Sequence, residues 1–208
     1  MISQSVLDAI RSSPDGLASL DVLDSLGLCD RLTLKTTISR LNKSGRIIRL
    51  KRGVYSVKPM RDALACAQDA FNGYLGFSTA MRVHGLISEI PFTLFVVTPG
   101  VSKRMEFGDY EFQAVALGSK AVGFEKKGIY VVSSRAKTLF DCIYLPRYAV
   151  ERAKLFDAFS RAGLTGREWK EFDSYVERLL AAGDNAVKRR MIAAKKAIIS
   201  LGRIKEKW

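Results

Sequence analysis

The first 58 residues contain short segments with helical spacing, followed by a basic stretch with the alternation of paired strands. Residues 3–13 have apolar side chains at helical intervals, and Pro14 stops this segment. A second, shorter helix is predicted around residues 20–26, with Gly27 as the residue that ends it. Two helices in succession are therefore predicted before residue 28.

A third helix is predicted to follow, with Thr33 as its N-cap and Gly45 at its end. Its apolar residues Leu34, Ile38 and Leu41 occupy positions i, i+4 and i+7, which lie on one face of a helix. This spacing predicts that one side of the helix packs into a core and that the other side faces solvent.

Residues 46–57 alternate as two paired strands do, with Lys51-Arg52-Gly53 at the turn. Three helices followed by such a hairpin are the elements of a winged helix-turn-helix. We predict this domain over residues 1–58.

The chain has an excess of basic residues. Its 208 residues include 34 Lys and Arg against 21 Asp and Glu, a formal net charge of +13. The basic excess is concentrated in the first 58 residues and after residue 150. Such an excess favours polyanionic partners, either nucleic acid or an anionic membrane surface.

No segment has the character of a membrane anchor. The longest charge-free apolar stretch, residues 90–102, is too short to span a bilayer and contains Pro91 and Pro99. The opening Met-Ile-Ser-Gln lacks the basic start and apolar run of a signal peptide. We expect a cytoplasmic protein with no membrane partner.

The cysteines and the single histidine argue against a metal site. Cys29, Cys66 and Cys142 are odd in number, far apart and without CxxC spacing, so we expect reduced thiols. Clustered carboxylates and a glycine-rich phosphate loop are also missing from the sequence. We therefore expect no metal, no cofactor and no catalytic residue.

The pattern changes after Lys58-Pro59, the predicted domain boundary. In residues 59–150, helices are predicted at 61–71, at 77–85 and from Ser133 or Ser134 to about Tyr144, and strands at 93–98, 107–117 and 128–132. These elements predict an α+β domain.

Residues 151–208 are predicted to form a helical C-terminal extension packed on the second domain. Thr165-Gly166-Arg167-Glu168 is a capping box, and Trp169, Phe172, Val176 and Leu179 follow it at core-facing spacing. A last helix is predicted from Asp184 to Leu201, with Gly202 at its end. The fold class is therefore α+β: a winged helix-turn-helix, a mixed α+β domain and a helical extension.

The predicted third helix and hairpin carry the candidate DNA contacts. Helices of this type insert their exposed N-terminal half into the major groove, and hairpin cations suit phosphates or the adjacent minor groove. Neutralising roughly six phosphates would give a log–log salt slope of about −5. The residues that we predict to contact double-stranded DNA are Lys35, Thr36, Ser39, Arg40, Lys43, Arg46, Arg49, Lys51 and Arg52. The alternative is that these residues form ordinary solvated faces.

Short motifs with a shared family pattern are spread along nearly the whole chain. They are Gly45-Arg46 with Arg52-Gly53-Val54-Tyr55, Ser78-Thr79-Ala80 with His84-Gly85-Leu86, Ile90-Pro91, Val96-Val97-Thr98-Pro99, Lys137-Thr138-Leu139-Phe140-Asp141-Cys142 before Pro146, and Gly183-Asp184-Asn185 before Arg189-Arg190. With these motifs the chain resembles the AbiEi-type antitoxins, the repressor-antitoxins of abortive-infection (type IV) toxin–antitoxin pairs. Met191-Ile192 departs from the Leu-Gly that this family has at that place.

The resemblance implies two functions. The first is autorepression, in which the winged helix binds the promoter of its own operon. The second is neutralisation of a cognate nucleotidyltransferase-like toxin by the rest of the chain, which in this family does not require tight binding of the toxin.

His84 and Asp141 are two further candidates for functional groups. His84 has no carboxylate or nucleophile at a useful spacing, so a structural, hydrogen-bonded histidine is expected rather than a catalytic base. Asp141 lies in an apolar helix four residues after Lys137, so an ion pair or a buried contact to Arg82 or Arg147 is expected rather than a metal or acid role.

The last helix carries two apolar stripes and a narrow basic side. The first stripe consists of Val187, Met191, Ala194, Ile198 and Leu201. Ile192 and Ile199 begin a second stripe, and Arg189 and Lys196 occupy the remaining face. This pattern predicts burial between helices or a surface for a partner; an ordinary domain helix with a solvated basic side is the alternative.

Three other functions fit parts of the sequence. One is a nucleic-acid-processing enzyme that a winged helix delivers to its substrate, although the missing catalytic constellations count against it. The others are a protein-docking module and a stand-alone regulator without a toxin.

Overall fold

The structure is a computed structural model that describes residues 2–89, 91–179 and 184–205. It is a mixed α and β protein with a helical C-terminal part, as predicted. The chain forms two compact units, residues 1–72 and 73–208. Three residues of the sequence predictions, Ile90, Gly183 and the side chain of Leu179, lie outside the described part.

The first unit combines helices with a small antiparallel sheet. Its elements are α1 (Ile2–Ser12), β1 (Leu17–Ser19), α2 (Leu20–Ser25), α3 (Arg31–Lys43), β2 (Ile47–Lys51), β3 (Val54–Val57) and α4 (Ala63–Ala70). The sheet order is β1-β3-β2, and both strand pairs are antiparallel. The strand β1 was not predicted, because a strand of three residues is too short to show a period.

The core of the first unit is built from the apolar stripes that define the helices. The buried residues of α1 and α3 include Val6, Leu7, Ile10, Leu34, Ile38 and Leu41. Both helices therefore bury the faces that their spacing predicted, and the opposite side of α3 faces solvent.

The helix α3 begins earlier than predicted. Its N-cap is Asp30, not Thr33, and the Asp30 carboxylate accepts hydrogen bonds from the backbone amides of Leu32 and Thr33, each at 3.0 Å. An aspartate satisfies two free amides at once, so the helix starts at Arg31. The first turn of α3 thus includes Arg31 and Leu32, which precede the predicted N-cap.

The boundary between the units follows Asn72 rather than Lys58-Pro59. The reason is α4, which packs on β2 and β3, where the buried Cys66 thiol lies 3.4 Å from the Ser56 hydroxyl. Residues 59–72, predicted as part of the second domain, therefore belong to the first unit.

The second unit is a six-stranded sheet covered by helices. Its elements are β4 (Tyr74–Leu75), α5 (Phe77–Val83), β5 (Thr93–Thr98), β6 (Lys103–Phe107), β7 (Tyr110–Ala116), β8 (Phe124–Lys127), β9 (Tyr130–Ser133), α6 (Arg135–Tyr144), α7 (Arg152–Ala162), α8 (Gly166–Leu179) and α9 (Asn185–Lys205). The strand order is β6-β7-β5-β4-β9-β8, with β5/β7 and β4/β9 parallel and the other pairs antiparallel.

Three strands of this sheet, β4, β6 and β8, were not predicted as separate strands. The two-residue β4 is too short to show a period. Residues 107–117 were predicted as one strand, but β6 ends at Phe107, the chain turns at Gly108 and β7 follows. All four residues of β8, which has the sequence Phe-Glu-Lys-Lys, are in exposed positions. Both β6 and β8 are charged edge strands, which bury too little to show an apolar pattern.

The helix α6 is the centre of the second core. Ser134 caps it, with its hydroxyl accepting from the amide of Lys137 at 3.1 Å, and α8 and α9 both pack against it. The predicted capping box of α8 is confirmed, because the Thr165 hydroxyl and the Glu168 carboxylate accept from each other's amides at 3.2 and 2.7 Å.

The last helix, α9, buries one apolar side rather than two. Its predicted stripe is buried on α6 and α7 at Met191, Ala194 and Ile198, whereas Ile192 of the second stripe is exposed. The prediction that Gly202 ends this helix was wrong. The helix continues to Lys205, and Gly202 lies where α9 passes close to the Ser160 carbonyl of α7.

Among the described residues, every helix is too short or too polar to cross a membrane.

Candidate nucleic-acid interface

The outward face of α3 carries the helix residues singled out from the sequence. Lys35, Thr36, Ser39, Arg40 and Lys43 are all exposed, while the buried side of the same helix packs into the core. This side of α3 therefore presents cations and hydroxyl groups to solvent along about two and a half turns.

Acidic residues hold the start of α3 in place. The Arg31 guanidinium pairs with Asp24 and, at 2.7 Å, with Asp21 of α2. Hydrogen bonds from the side chain and amide of Thr33 lower the pKa of Asp30, so this capping carboxylate stays ionised. The N-terminal turn of α3 is thus fixed both to its cap and to α2.

Three hydrogen bonds join the hairpin of β2 and β3 to the helices. The amide of Arg49 donates to Asn42 of α3 at 3.1 Å, and the amide of Leu20 donates to the Gly53 carbonyl at 2.7 Å. The Arg46 guanidinium donates to Gln4 of α1 at 3.0 Å. Gly53 has φ of 77°, a conformation that suits glycine at this turn.

A cleft of about 470 Å³ opens between the first turns of α2 and α3 and the hairpin. Its lining residues are Leu20, Asp21, Arg31, Lys35, Arg49, Arg52, Gly53 and Tyr55. Three of the predicted DNA contacts, Lys35, Arg49 and Arg52, therefore lie around one concave surface, although they come from different segments of the chain. A concave surface lined by cations is suited to a phosphate backbone.

The other predicted contacts lie elsewhere on the same unit. Thr36, Ser39, Arg40 and Lys43 continue along the outer face of α3 and do not line the cleft. Lys51 is half-buried, and its ammonium group lies 3.4 Å from the Asn72 side-chain oxygen.

Arg31, Leu32 and Tyr55 also belong to this surface but were not among the predicted DNA contacts. Arg31 and Tyr55 line the cleft, and Leu32 is exposed on the first turn of α3. Arg31 and Leu32 were missed because the helix was predicted to start after Thr33. The acidic Asp30 directly before them was the signal that could have placed the cap correctly.

His84 has the surroundings of a structural histidine. Its Nε2 donates to the Ser133 carbonyl at 2.7 Å, and its Nδ1 accepts from the Lys127 ammonium at 3.4 Å. Burial lowers the pKa of His84, so the ring is neutral at pH 7.

Asp141 forms a buried ion pair with Lys137, one of the expected arrangements. Both side chains are fully buried. The second oxygen of Asp141, Oδ2, has no hydrogen-bond partner among the described residues. Burial raises the pKa of Asp141 to about 6 and lowers the pKa of Lys137, because removing each charge from water costs more than the pair regains.

The potential metal ligands of the chain are scattered. Within residues 2–89, 91–179 and 184–205, no three His, Cys, Asp or Glu side chains lie together in a way that could hold a metal ion. Cys66 and Cys142 are buried and Cys29 is partly exposed, all as free thiols.

No known family model matches this chain, and no curated protein matches it. The resemblance to the AbiEi-type antitoxins therefore rests on the short sequence motifs alone.

Proposed function

We propose that residues 1–72 form a winged helix-turn-helix domain that binds double-stranded DNA, and that the chain is a transcriptional repressor of its own operon. The observation that carries this proposal is the convergence of Lys35, Arg49 and Arg52 on one cleft beside the exposed cationic face of α3. Cations grouped around one concave surface raise the local positive potential and so attract a polyanion.

The order of the elements supports the winged-helix assignment. The helix α1 is followed by β1, α2 and α3, and the hairpin of β2 and β3 closes a three-stranded sheet. In this arrangement α3 is the recognition helix and the hairpin is the wing. The cleft between them would then follow one strand of the DNA backbone.

In the proposed complex, α3 enters the major groove. Arg40 and Lys43 reach guanine edges or phosphates, Ser39 reaches base edges or phosphates, and Thr36 reaches base edges. Lys35, Arg49 and Arg52 hold the phosphates that pass through the cleft. About six phosphate contacts would give a log–log salt slope of about −5.

The proposal has a second part, which the sequence motifs support. The chain would act as the antitoxin of a type IV toxin–antitoxin pair and would neutralise a nucleotidyltransferase-like toxin encoded beside it. This part leads to a simple expectation for the genome, since a stand-alone regulator would have no such neighbouring gene.

The deciding experiment is fluorescence anisotropy of the full chain on the duplex upstream of its own gene, beside a scrambled duplex of equal length, over a salt series. We expect a preference for the upstream duplex of about a thousandfold or more near physiological salt. Equal and salt-sensitive binding to both duplexes would mean that the basic surface attracts DNA without sequence preference. Absence of binding to either duplex would contradict the proposal.

The two basic residues at the turn of the wing are expected to differ in their contributions. Arg52→Ala should weaken binding about fivefold and make the salt slope less negative by about 0.9, because one phosphate contact is lost. Lys51→Ala should weaken binding less than about twofold, because the Lys51 ammonium is directed to Asn72. Titrations of both variants and of the double variant give the comparison. Unchanged affinity and slope in the double variant would remove the wing from the interface.

A further inference from the structure

The centre of the exposed face of α3 is apolar. Leu32 is 76% exposed. At about 100° per residue, it lies within about 40° of Thr36, Ser39 and Lys43 around the helix axis, and opposite the buried Leu41. A large leucine side chain thus projects from the middle of the surface that otherwise carries cations and hydroxyl groups.

The hydrogen bonds of the first turns make this surface more apolar than its sequence indicates. The Leu32 carbonyl accepts from the hydroxyl of Thr36 at 3.0 Å. Because the hydroxyl proton of Thr36 is used within the helix, Thr36 offers an outside partner only a methyl group and an acceptor. Leu32 and Thr36, one turn apart, therefore form an apolar area at the N-terminal end of α3.

Building on the proposed DNA-binding function, we propose that Leu32 reads thymine in the major groove, by packing its side chain against the C5-methyl group. Thymine is the one base that presents a methyl group there, and the N-terminal half of a recognition helix is the part that approaches base edges. Leu32 cannot satisfy the donors and acceptors that other bases present, so the same contact disfavours them.

A protein partner is the competing occupant of this surface. Val22 and Leu26, at 52% and 53% exposure, are also apolar and lie on α2 and just after it. However, Leu32 is flanked by the exposed cations Lys35 and Lys43, and the buried centres of protein interfaces are depleted in charge. Cations around an apolar centre match a thymine methyl group between two phosphate strands.

The test removes the methyl group from DNA and the side chain from the protein. The upstream duplex is prepared once with thymine and once with uracil in its place, and dissociation constants are measured for the wild-type chain, Leu32→Ala and Val22→Ala. Uracil differs from thymine only by the methyl group. Salt is kept low enough for each constant to be measurable, and scrambled duplexes of both kinds accompany the series.

For wild type we expect the uracil duplex to bind about fourfold more weakly for each thymine contacted, the effect of one buried methyl group. Leu32→Ala should bind both duplexes almost equally. The control Val22→Ala should keep the wild-type ratio of the dissociation constants for the uracil and thymine duplexes. Circular dichroism checks that both variants fold, as expected for exposed side chains.

A wild-type ratio near 1, a measurement that needs no variant, would overturn the role of Leu32 while leaving sequence-specific DNA binding intact. The role of Leu32 would also be overturned if Leu32→Ala kept the wild-type ratio of the uracil and thymine dissociation constants. If that ratio is near 1 in wild type and Leu32→Ala abolishes a self-associated form, Leu32 contacts a second copy of the protein instead. If the upstream and scrambled thymine duplexes bind equally, the proposed function itself fails and the role of Leu32 fails with it.

Discussion

Asp141→Asn is expected to lower the free energy of unfolding of the second unit by about 3–5 kcal/mol. The substitution keeps the size of the side chain but leaves the Lys137 ammonium, which is fully buried, without its counterion. The measurement is urea unfolding followed by tryptophan fluorescence. Trp169 packs against the core of the second unit, and the first 72 residues contain no tryptophan, so the change in the signal reports the second unit.

The two single variants should respond to pH in opposite directions. In Lys137→Met, Asp141 loses the cation that lowers its pKa, so the folded-state pKa rises further above the ordinary value of 3.8. The folded state then binds more protons than the unfolded state, and stability falls as pH rises through the range above 4. In Asp141→Asn, burial keeps the pKa of Lys137 low, so the unfolded state binds more protons and stability rises with pH.

A matched control separates the effect of burial on stability from the effect of losing an ion pair as such. Arg161 and Asp157 of α7 form a pair at 2.7 Å with the same four-residue spacing, but their side chains are 64% and 44% exposed. Asp157→Asn should cost about 0.5 kcal/mol or less. The double variant Lys137→Met/Asp141→Leu should recover most of the stability, since apolar replacement of a buried pair is often neutral. Equal losses in Asp141→Asn and Asp157→Asn would contradict this account.

The triple variant Lys35→Ala/Arg49→Ala/Arg52→Ala is expected to weaken binding to the upstream duplex by about two orders of magnitude at low salt. These residues line the cleft beside α3. The loss corresponds to about 1 kcal/mol for each phosphate contact. The log–log salt slope should change from about −5 to about −2, because each lost contact removes about 0.9 from its magnitude. The slope is measured by anisotropy titrations at four or more salt concentrations.

A second triple variant controls for net charge. Lys103, Lys126 and Lys170 are exposed residues of the second unit, and their replacement by alanine changes the formal charge by the same amount. We expect affinity and salt slope to remain close to wild type in this variant. If it weakens binding as strongly as the cleft variant, the attraction comes from overall charge, and the cleft has no special part in it.

The sequence was most informative where neighbours within one or two turns decide the structure. The apolar spacing of α1 and α3 predicted their buried faces, and the capping box predicted the start of α8. The strand β5 was predicted with the bounds that it has, because its β-branched and aromatic residues are almost all buried. Such signals are local, and the physical effects behind them, helical periodicity and capping, act over a few residues.

Other features depended on contacts between distant segments. Because α4 packs against the hairpin, the first unit extends to Asn72. The exposed, charged segments β6 and β8 are strands because each pairs with a neighbouring strand of the sheet. The choice of Lys137 over Arg82 or Arg147 as the partner of Asp141 likewise followed from which side chains the core enclosed.

The candidate site shows the same division. By itself, the sequence determined that α3 and the hairpin are basic and that one side of α3 faces solvent. Only the tertiary structure brought Lys35 to Arg49 and Arg52 around one cleft and directed Lys51 to Asn72. The physical reason is that composition and periodicity determine, for each residue separately, its charge and whether it faces solvent. A concave site, in contrast, forms only when segments far apart in the chain pack together.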